Sequence, residues 1–295
     1  MEYYLQLLVT GLMLGALYGL VALGLVIIYK SSRVLNLAHG GFLMVLSFLA
    51  WSFAVQMGLP MWLSIIFVLA ISVALGYAVE RVILRPLTGQ PILATIIVTL
   101  ALAYGLDGVQ VIVWGGFTQA YSEFIPETPL TLGFIIIEQP YLWGFVVAIM
   151  LFIAFLLFFR YSRHGLAMQI VSEDHQVARS LGINVRTVFA QTWVFALMIA
   201  ATSGILYSAL HTVTAQNAQI GLIKALPVVL LGGLESLPGA LVGGLIVGVA
   251  EIVGAGVFDP MVGGGSQDII PLILMLLILL IKPYGLFGWV RIERI

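Results

Sequence analysis

Apolar runs of membrane-spanning length, separated by short polar breaks, fill almost the whole chain. The runs 5–28, 63–79, 92–113, 142–159, 188–210 and 269–281 mostly suit a hydrocarbon core about 30 Å thick. With the shorter apolar stretches included, the pattern predicts nine crossings: 5–28, 40–57, 61–82, 91–114, 141–159, 187–211, 221–234, 238–256 and 268–284. The segment 221–234 is short and interrupted by Pro227, so an eight-crossing version treats it as re-entrant. Charge separates the two. With nine crossings, the N-terminus outside and the C-terminus cytoplasmic, Lys30, Arg33, Arg81, Arg85, Arg160, Arg163, Arg179, Arg186, Lys282, Arg291 and Arg294 are all cytoplasmic. Only Lys224 of the twelve basic residues is then outside, as the positive-inside rule favours. Eight crossings would move Lys282, Arg291 and Arg294 outside, so nine is preferred. No Lys or Arg precedes the first run and no small-residue cleavage site follows it, which reads as a retained helix.

Composition agrees with the pattern. Apolar residues make up 62% and charged residues 8%, against about 25% charged in soluble domains. Mean hydropathy is +1.15. The expected fold is an all-α integral membrane protein, one domain over 1–295, built as a bundle of eight or nine transmembrane helices. The polar stretch 115–139, with Glu123, Glu127 and Glu138, becomes an external loop. Trp51, Trp62, Trp114, Trp143 and Trp289 fall near helix ends, as interface anchors do. No cysteine is present, which excludes disulfide and thiol chemistry, and four scattered histidines show no metal-ligand spacing. None of the three lysines follows a glycine, so there is no phosphate-binding Gly-Lys-Ser/Thr loop and the chain cannot hydrolyse ATP by itself.

Glycines and interruptions mark where helices approach or break. Gly11, Gly15 and Gly19 recur every four residues in the first helix, and Gly239/Gly243 and Gly244/Gly248 repeat the spacing in the eighth. Such faces let helix backbones meet closely, within the subunit or between subunits. Asn36, His39, Gly40 and Gly41 lie at the start of the second crossing, and 221–233 with Pro227 precedes the eighth. The segments GYAVER (76–81) and GVAEIV (248–253) are weakly alike, and paired interrupted segments in inverted halves point to a central transport path and an inverted repeat. The likeness alone does not establish the repeat. Ionisable residues inside the bilayer are costly and are functional candidates. Asp107 is expected to face the path or to bond a neighbouring helix, and Glu251 to be structural or interfacial. His39 is a gate residue or a satisfied capping residue at a cytoplasmic helix start, and His211 lies at the outer interface.

The stretch 160–186 is the longest charged, helix-competent segment in an otherwise apolar chain. Ser172 can cap a helix, Glu173 and Asp174 suit its first turn, and Gly182 suits the left-handed position after its end. Val177, Ala178 and Leu181 then form an apolar stripe, with Arg179 pointing off it. The helix either docks a soluble cytoplasmic partner or lies on the lipid surface; its short length and acidic start favour docking.

Six motifs running nearly end to end bear a family resemblance: GLMLGALYGLVALGLVIIY (11–29), NLAHGGFLM (36–44), ERVILRPLTGQP (80–91), RHGLAMQIVSEDHQVARSLGINV (163–185), LLGGLESLPGALVGGLIVG (230–248) and KPYGLFG (282–288). Together they resemble the permease subunits of branched-chain amino acid ABC importers, in the smaller of that system's two permease types. Permeases for urea and short amides share much of the pattern. The chain departs at Leu37, where the family commonly has Phe, at Glu235, where Gly is usual, and at Asp107, which is unusual in its helix. These departures bear on substrate more than on membership.

The resemblance implies a coupling helix formed by Glu173, Asp174, Val177, Ala178, Arg179, Leu181, Gly182 and Ile183, seated in an ATP-binding subunit. It implies an assembly of two ATPases, two permeases (the second a different, larger chain) and an external substrate-binding protein, in the cytoplasmic membrane of a prokaryote. This chain would bind no cofactor; ATP and magnesium would be used by the ATPases. Lipid is the only other expected contact, and no nucleic acid. Two further classes are weighed against this one. An ion-coupled carrier would use Asp107 and Glu251 and need no ATPase. A membrane hydrolase would need an acid/base or metal cluster at one depth, and Asp107, His39 and Glu251 fall at different depths.

Overall fold

The first apolar run folds as α1 (Glu2–Ser32), an unbroken helix of 31 residues that is apolar on every side. A helix with no polar face is buried in protein or in lipid. Here protein covers it: Gly11 to Ile28 is buried with scarcely a gap. In the computed structural model, which describes residues 2–87, 89–126, 128–133 and 135–288, α1 is the axis of the bundle. The expected Glu127, Trp289, Arg291 and Arg294 positions lie outside the described residues.

On α1 pack α5 (Gln139–Tyr161), α8 (Val185–Leu210) and α10 (Leu237–Val262); α2 (His39–Trp51) and α3 (Met61–Ala78) pack on α8, α4 (Ile92–Trp114) on α2, and α11 (Ser266–Ile281) on α10. Two short helices, α6 (Arg163–Glu173) and α7 (His175–Ser180), lie between α5 and α8, and α9 (Ala225–Gly232) precedes α10. Among the described residues, seven helices are long and apolar enough to cross a membrane. The helix α11 has 16 residues, about 24 Å at 1.5 Å per residue. The expected eight or nine crossings with interrupted helices take the form of seven long helices, one short helix and one broken segment. Residues 211–236 form that segment, as a 3-10 turn Ala215–Gln219, a π turn Ile220–Lys224 and then α9.

Directions follow from the contacts. Gly11 packs on Gly248 and Gly19 on Ala240, so α1 and α10 run antiparallel. Arg33, just after α1, pairs with Glu235, just before α10, at what is here termed the proximal face. The opposite, distal face carries the end of α8, where Val213 bridges to Gln119 of the long loop. The broken segment thus carries the chain from the distal to the proximal face, and the parity of nine passes is kept. By the same alternation α3 and α10, which hold the two weakly similar segments, run in opposite directions.

The distal loop is not featureless. It holds a small hairpin, β1 (Leu130–Leu132) and β2 (Ile135–Ile137), with Leu130 opposite Ile137. Gln6 of α1 clamps it, donating to the Ile136 carbonyl at 2.6 Å and accepting from the Ile136 N–H at 3.0 Å. Trp51 donates to the Ala120 carbonyl at 3.0 Å and Tyr121 to the Ser47 carbonyl at 2.9 Å, fastening the loop over the end of α2. Burial pushes the Tyr121 phenol well above its ordinary range, so it remains a neutral donor.

Candidate functional site

Three places in the bundle combine polar chemistry with broken helix geometry. The first is the proximal segment α6–α7. Ser162 caps α6 by accepting from the Gly165 N–H at 2.8 Å. The next cap is Asp174, whose Oδ1 accepts from Gln176 and Val177 N–H at 2.6 and 3.1 Å. The expected cap, Ser172, is instead buried near the end of α6, donating to the Gln169 carbonyl at 2.6 Å. Glu173 closes α6 rather than opening α7. Gly182 takes the left-handed conformation, φ +78°, and Ile183 N–H reaches back to the Ala178 carbonyl at 3.0 Å. The expected apolar stripe divides. Ala178 is fully buried, while Val177 and Leu181 are 50% and 63% exposed, one turn apart, with Arg179 exposed beside them. Such an exposed apolar pair is able to meet a soluble partner or the lipid surface.

The second place is the middle of the bundle. Arg33 has φ +59°, the one positive value among described non-glycine residues, and it reverses the chain after α1. Residues 34–38 then re-enter the bundle, and α2 begins at His39, which packs against Gly24 of α1. Gly24 lies eight residues before Ser32, about 12 Å along the axis. His39 is therefore not at the cytoplasmic surface, as expected, but deep inside. It is 1% exposed, and neither ring nitrogen meets a partner in good geometry, the Val21 backbone lying at the edge of reach. Asn36, also 1% exposed, uses Oδ1 to accept from the Ala38 N–H at 3.1 Å, while its Nδ2 has no partner.

The broken segment reaches the same level from the other side. Gly40 packs against the Ala218 carbonyl, and a Cβ on Gly221 would sit 2.8 Å from the Gly40 nitrogen. Two interrupted helices thus meet start to start, and only glycine permits that spacing. Asn217 pins the returning strand of chain, donating to Ser208 Oγ and the Thr212 carbonyl, both at 2.9 Å. Gly41 faces Leu106 and Ala103 of α4, and Pro227 is buried in the first turn of α9. Gln110 of α4, absent from the expected set, is fully buried with both amide atoms unpartnered. A glutamine in an apolar run gives no sequence signal of which way it faces.

The third place is a buried ion cluster toward the distal face. Lys224 Nζ lies 3.1 Å from Glu251 Oε1 and 3.0 Å from Asp268 Oδ1, and donates to the Gln267 carbonyl at 2.8 Å. Tyr18 of α1 donates to the same Glu251 oxygen at 3.0 Å. Lys224, expected outside, is thus inside the protein with its charge matched, which explains why it departs from the charge asymmetry of the other basic residues. Asp107 behaves differently. It makes no hydrogen bond or ion pair among the described residues and is partly buried on α4, the least covered of the long helices. Its role as glue to a neighbouring helix of this chain is not realised.

The glycine faces resolve into two. Gly11, Gly15 and Gly19 meet Gly244 and Gly248 across the α1–α10 crossing, whereas Gly239 and Gly243 meet Gly232 and Val228 of α9. All seven are contacts within the subunit.

A multi-spanning helical membrane protein with discontinuous helices at its centre is the class this geometry defines. Residues 7–281 match the family of the branched-chain amino acid transport system permease component, and the chain belongs to that family. It is 32% identical over 308 residues to the high-affinity branched-chain amino acid transport system permease protein BraD of Pseudomonas aeruginosa, covering 99% of this chain and 98% of that one. It is 30% identical to the corresponding LivH of Salmonella typhimurium with the same coverage. The probable LivH of Methanocaldococcus jannaschii is 26% identical over 94% of this chain and 90% of that one.

Proposed function

We propose that this chain is the smaller permease of an ATP-driven importer and carries branched-chain amino acids across the cytoplasmic membrane. The observation that carries the coupling is α7, a capped proximal helix presenting Val177 and Leu181 with Arg179 beside them. A soluble ATPase subunit with an apolar groove rimmed by acidic groups fits that face. The proximal face is then cytoplasmic, with the N-terminus outside and the C-terminus inside. Lys30, Arg33, Arg160, Arg163, Arg179 and Arg186 on or beside the proximal ends of the helices support this orientation.

Closure of an ATPase pair on ATP and magnesium would move α7, and with it α6 and the start of α8. The start-to-start meeting of α2 and the broken segment, around Asn36, His39, Gly40, Gly41 and Pro227, is where such a movement can open or close a path. Asp107 is partly buried on α4, the least covered of the long helices, and an unpaired carboxylate within the bilayer is costly; a second, larger permease chain covers this helix in the working complex. The substrate then passes between the two permeases after delivery by an external binding protein. A zwitterion with an apolar side chain needs a weakly polar, neutral path, and the central residues are amides, an imidazole and glycines. An ion-coupled carrier is disfavoured because Glu251 is already matched by Lys224.

The test is uptake into proteoliposomes holding the whole complex with ATP inside on the ATPase side. Leucine, isoleucine or valine accumulating against its gradient supports the reading. Uptake of urea or acetamide in their place would reassign the substrate within the family. Uptake driven by a proton or sodium gradient without ATP would overturn the reading.

A further inference from the structure

We propose that Arg33 is the positioning residue that links the α6–α7 segment to the α9–α10 turn, through an ion pair with Glu235 that breaks and re-forms during transport. It rests on α7 being the ATPase contact. Arg33 occupies the single residue at which α1 turns back toward α2, and it is held there by its N–H to the Tyr29 carbonyl at 2.8 Å. From that hinge its guanidinium reaches two ways. Nη2 donates to the Ser172 carbonyl at 3.3 Å, in the last turn of α6 and two residues before the Asp174 cap of α7. Nη1 pairs with Glu235, in the turn that joins α9 to α10. The planar fork of arginine is what allows one side chain to hold both.

The Glu235 turn is itself rigid. Ser236 N–H bonds the Gly233 carbonyl at 3.0 Å, and Leu286 and Phe287 N–H close on the Leu231 and Gly232 carbonyls at 2.7 and 3.1 Å. A pull on Arg33 is therefore transmitted to α9 and α10 as a unit. Lys30 lies near both Glu173 and Arg33 at the same junction, so two cations and two carboxylates are grouped there.

The strength of the link suits a contact that must open. The Arg33 and Glu235 side chains are 26% and 27% exposed, so water competes for them, and such pairs shift an equilibrium by at most about fivefold. The distal Lys224–Glu251 pair, at 10% and 3%, is the reverse: separating it would strand a buried charge. The distal cluster is a strut and the proximal pair a latch.

The experiment compares Arg33→Gln, Glu235→Gln and Glu235→Asp with the unmodified chain in the whole reconstituted complex. ATP hydrolysis and leucine uptake are measured on the same vesicles. The glutamine variants are expected to assemble and hydrolyse ATP at rates near wild type, while leucine moved per ATP falls up to about fivefold, the limit set by a pair open to water. Glu235→Asp, which keeps the charge, is expected to retain the wild-type ratio. An unchanged ratio in both glutamine variants overturns the proposal. So does a parallel loss of hydrolysis and uptake, or a Glu235→Asp variant as uncoupled as Glu235→Gln. If Arg33→Gln fails to assemble, the two Glu235 variants carry the test alone. Failure of the importer reading looks different: the unmodified complex would show no ATP-driven uptake.

Discussion

Replacing Gly244 by alanine should be a damaging single-methyl change in the α1–α10 crossing. A Cβ at that position would lie 2.5 Å from the Gly15 carbonyl oxygen and 2.6 Å from both the Cα and the nitrogen of Gly19. All three are backbone atoms, so no side chain can rotate away. Ordinary carbon–oxygen contact needs roughly 0.7 Å more, and a radial gap of 0.5–1 Å forfeits about a quarter to a half of the dispersion well along the whole seam. Overpacking of this kind costs about 1–3 kcal/mol. At roughly 2–4 °C per kcal/mol, the expected drop in melting temperature is about 5 °C. Gly105→Ala on α4 is the control. Its Cβ would meet nothing within 4 Å, and it gains about 1 kcal/mol of helix propensity. Thermal unfolding of the two variants in one mild detergent, followed by tryptophan fluorescence, compares them directly. The account fails if Gly244→Ala melts no lower than Gly105→Ala.

Two other expectations concern charge and capping. Lys224→Met leaves the Glu251 carboxylate buried without its cation, a loss of about 3–5 kcal/mol, and the double variant Lys224→Met/Glu251→Gln should melt closer to wild type than Lys224→Met alone. A double variant at least as unstable as the single one would mean that the cluster is not a matched pair. Asp174→Ala removes the acceptor for two N–H groups at the start of α7, worth about 1 kcal/mol. It should weaken binding of the ATPase subunit about fivefold in a titration of the purified complex, with a fall in melting temperature of no more than about 4 °C; unchanged affinity would remove α7 as the contact.

Long-range order was legible in this chain wherever a period or a run could express it. The four-residue spacing of Gly11, Gly15 and Gly19 announced a close helix crossing, and the structure supplies it against Gly244 and Gly248. Which partner each pair of glycines faces was not legible, because Gly239/Gly243 and Gly244/Gly248 have the same spacing on one helix but pack against α9 and α1. The sequence pattern puts the cap of α7 at Ser172, two residues before Asp174. Ser172, Glu173 and Asp174 all suit a helix start, and only the burial of Ser172 against α6 decides for Asp174. The depth of His39 turned on the sign of one backbone angle, at Arg33, which no hydropathy pattern encodes. The Lys224–Glu251–Asp268 cluster joins residues tens of positions apart, so the sequence showed three charges and not one matched group.

The most direct test of the central claim, that α7 ties this permease to an ATP-driven partner, is affinity purification of the tagged complex with α7 altered. Val177→Asp and Leu181→Asp each place a carboxylate on the exposed apolar pair without disturbing buried Ala178. The account predicts that a nucleotide-binding ATPase subunit co-elutes with the unmodified chain and is lost from both variants, while the permease keeps its melting temperature. An ATPase that stays bound to both variants, or one that never co-elutes with the unmodified chain, would contradict it.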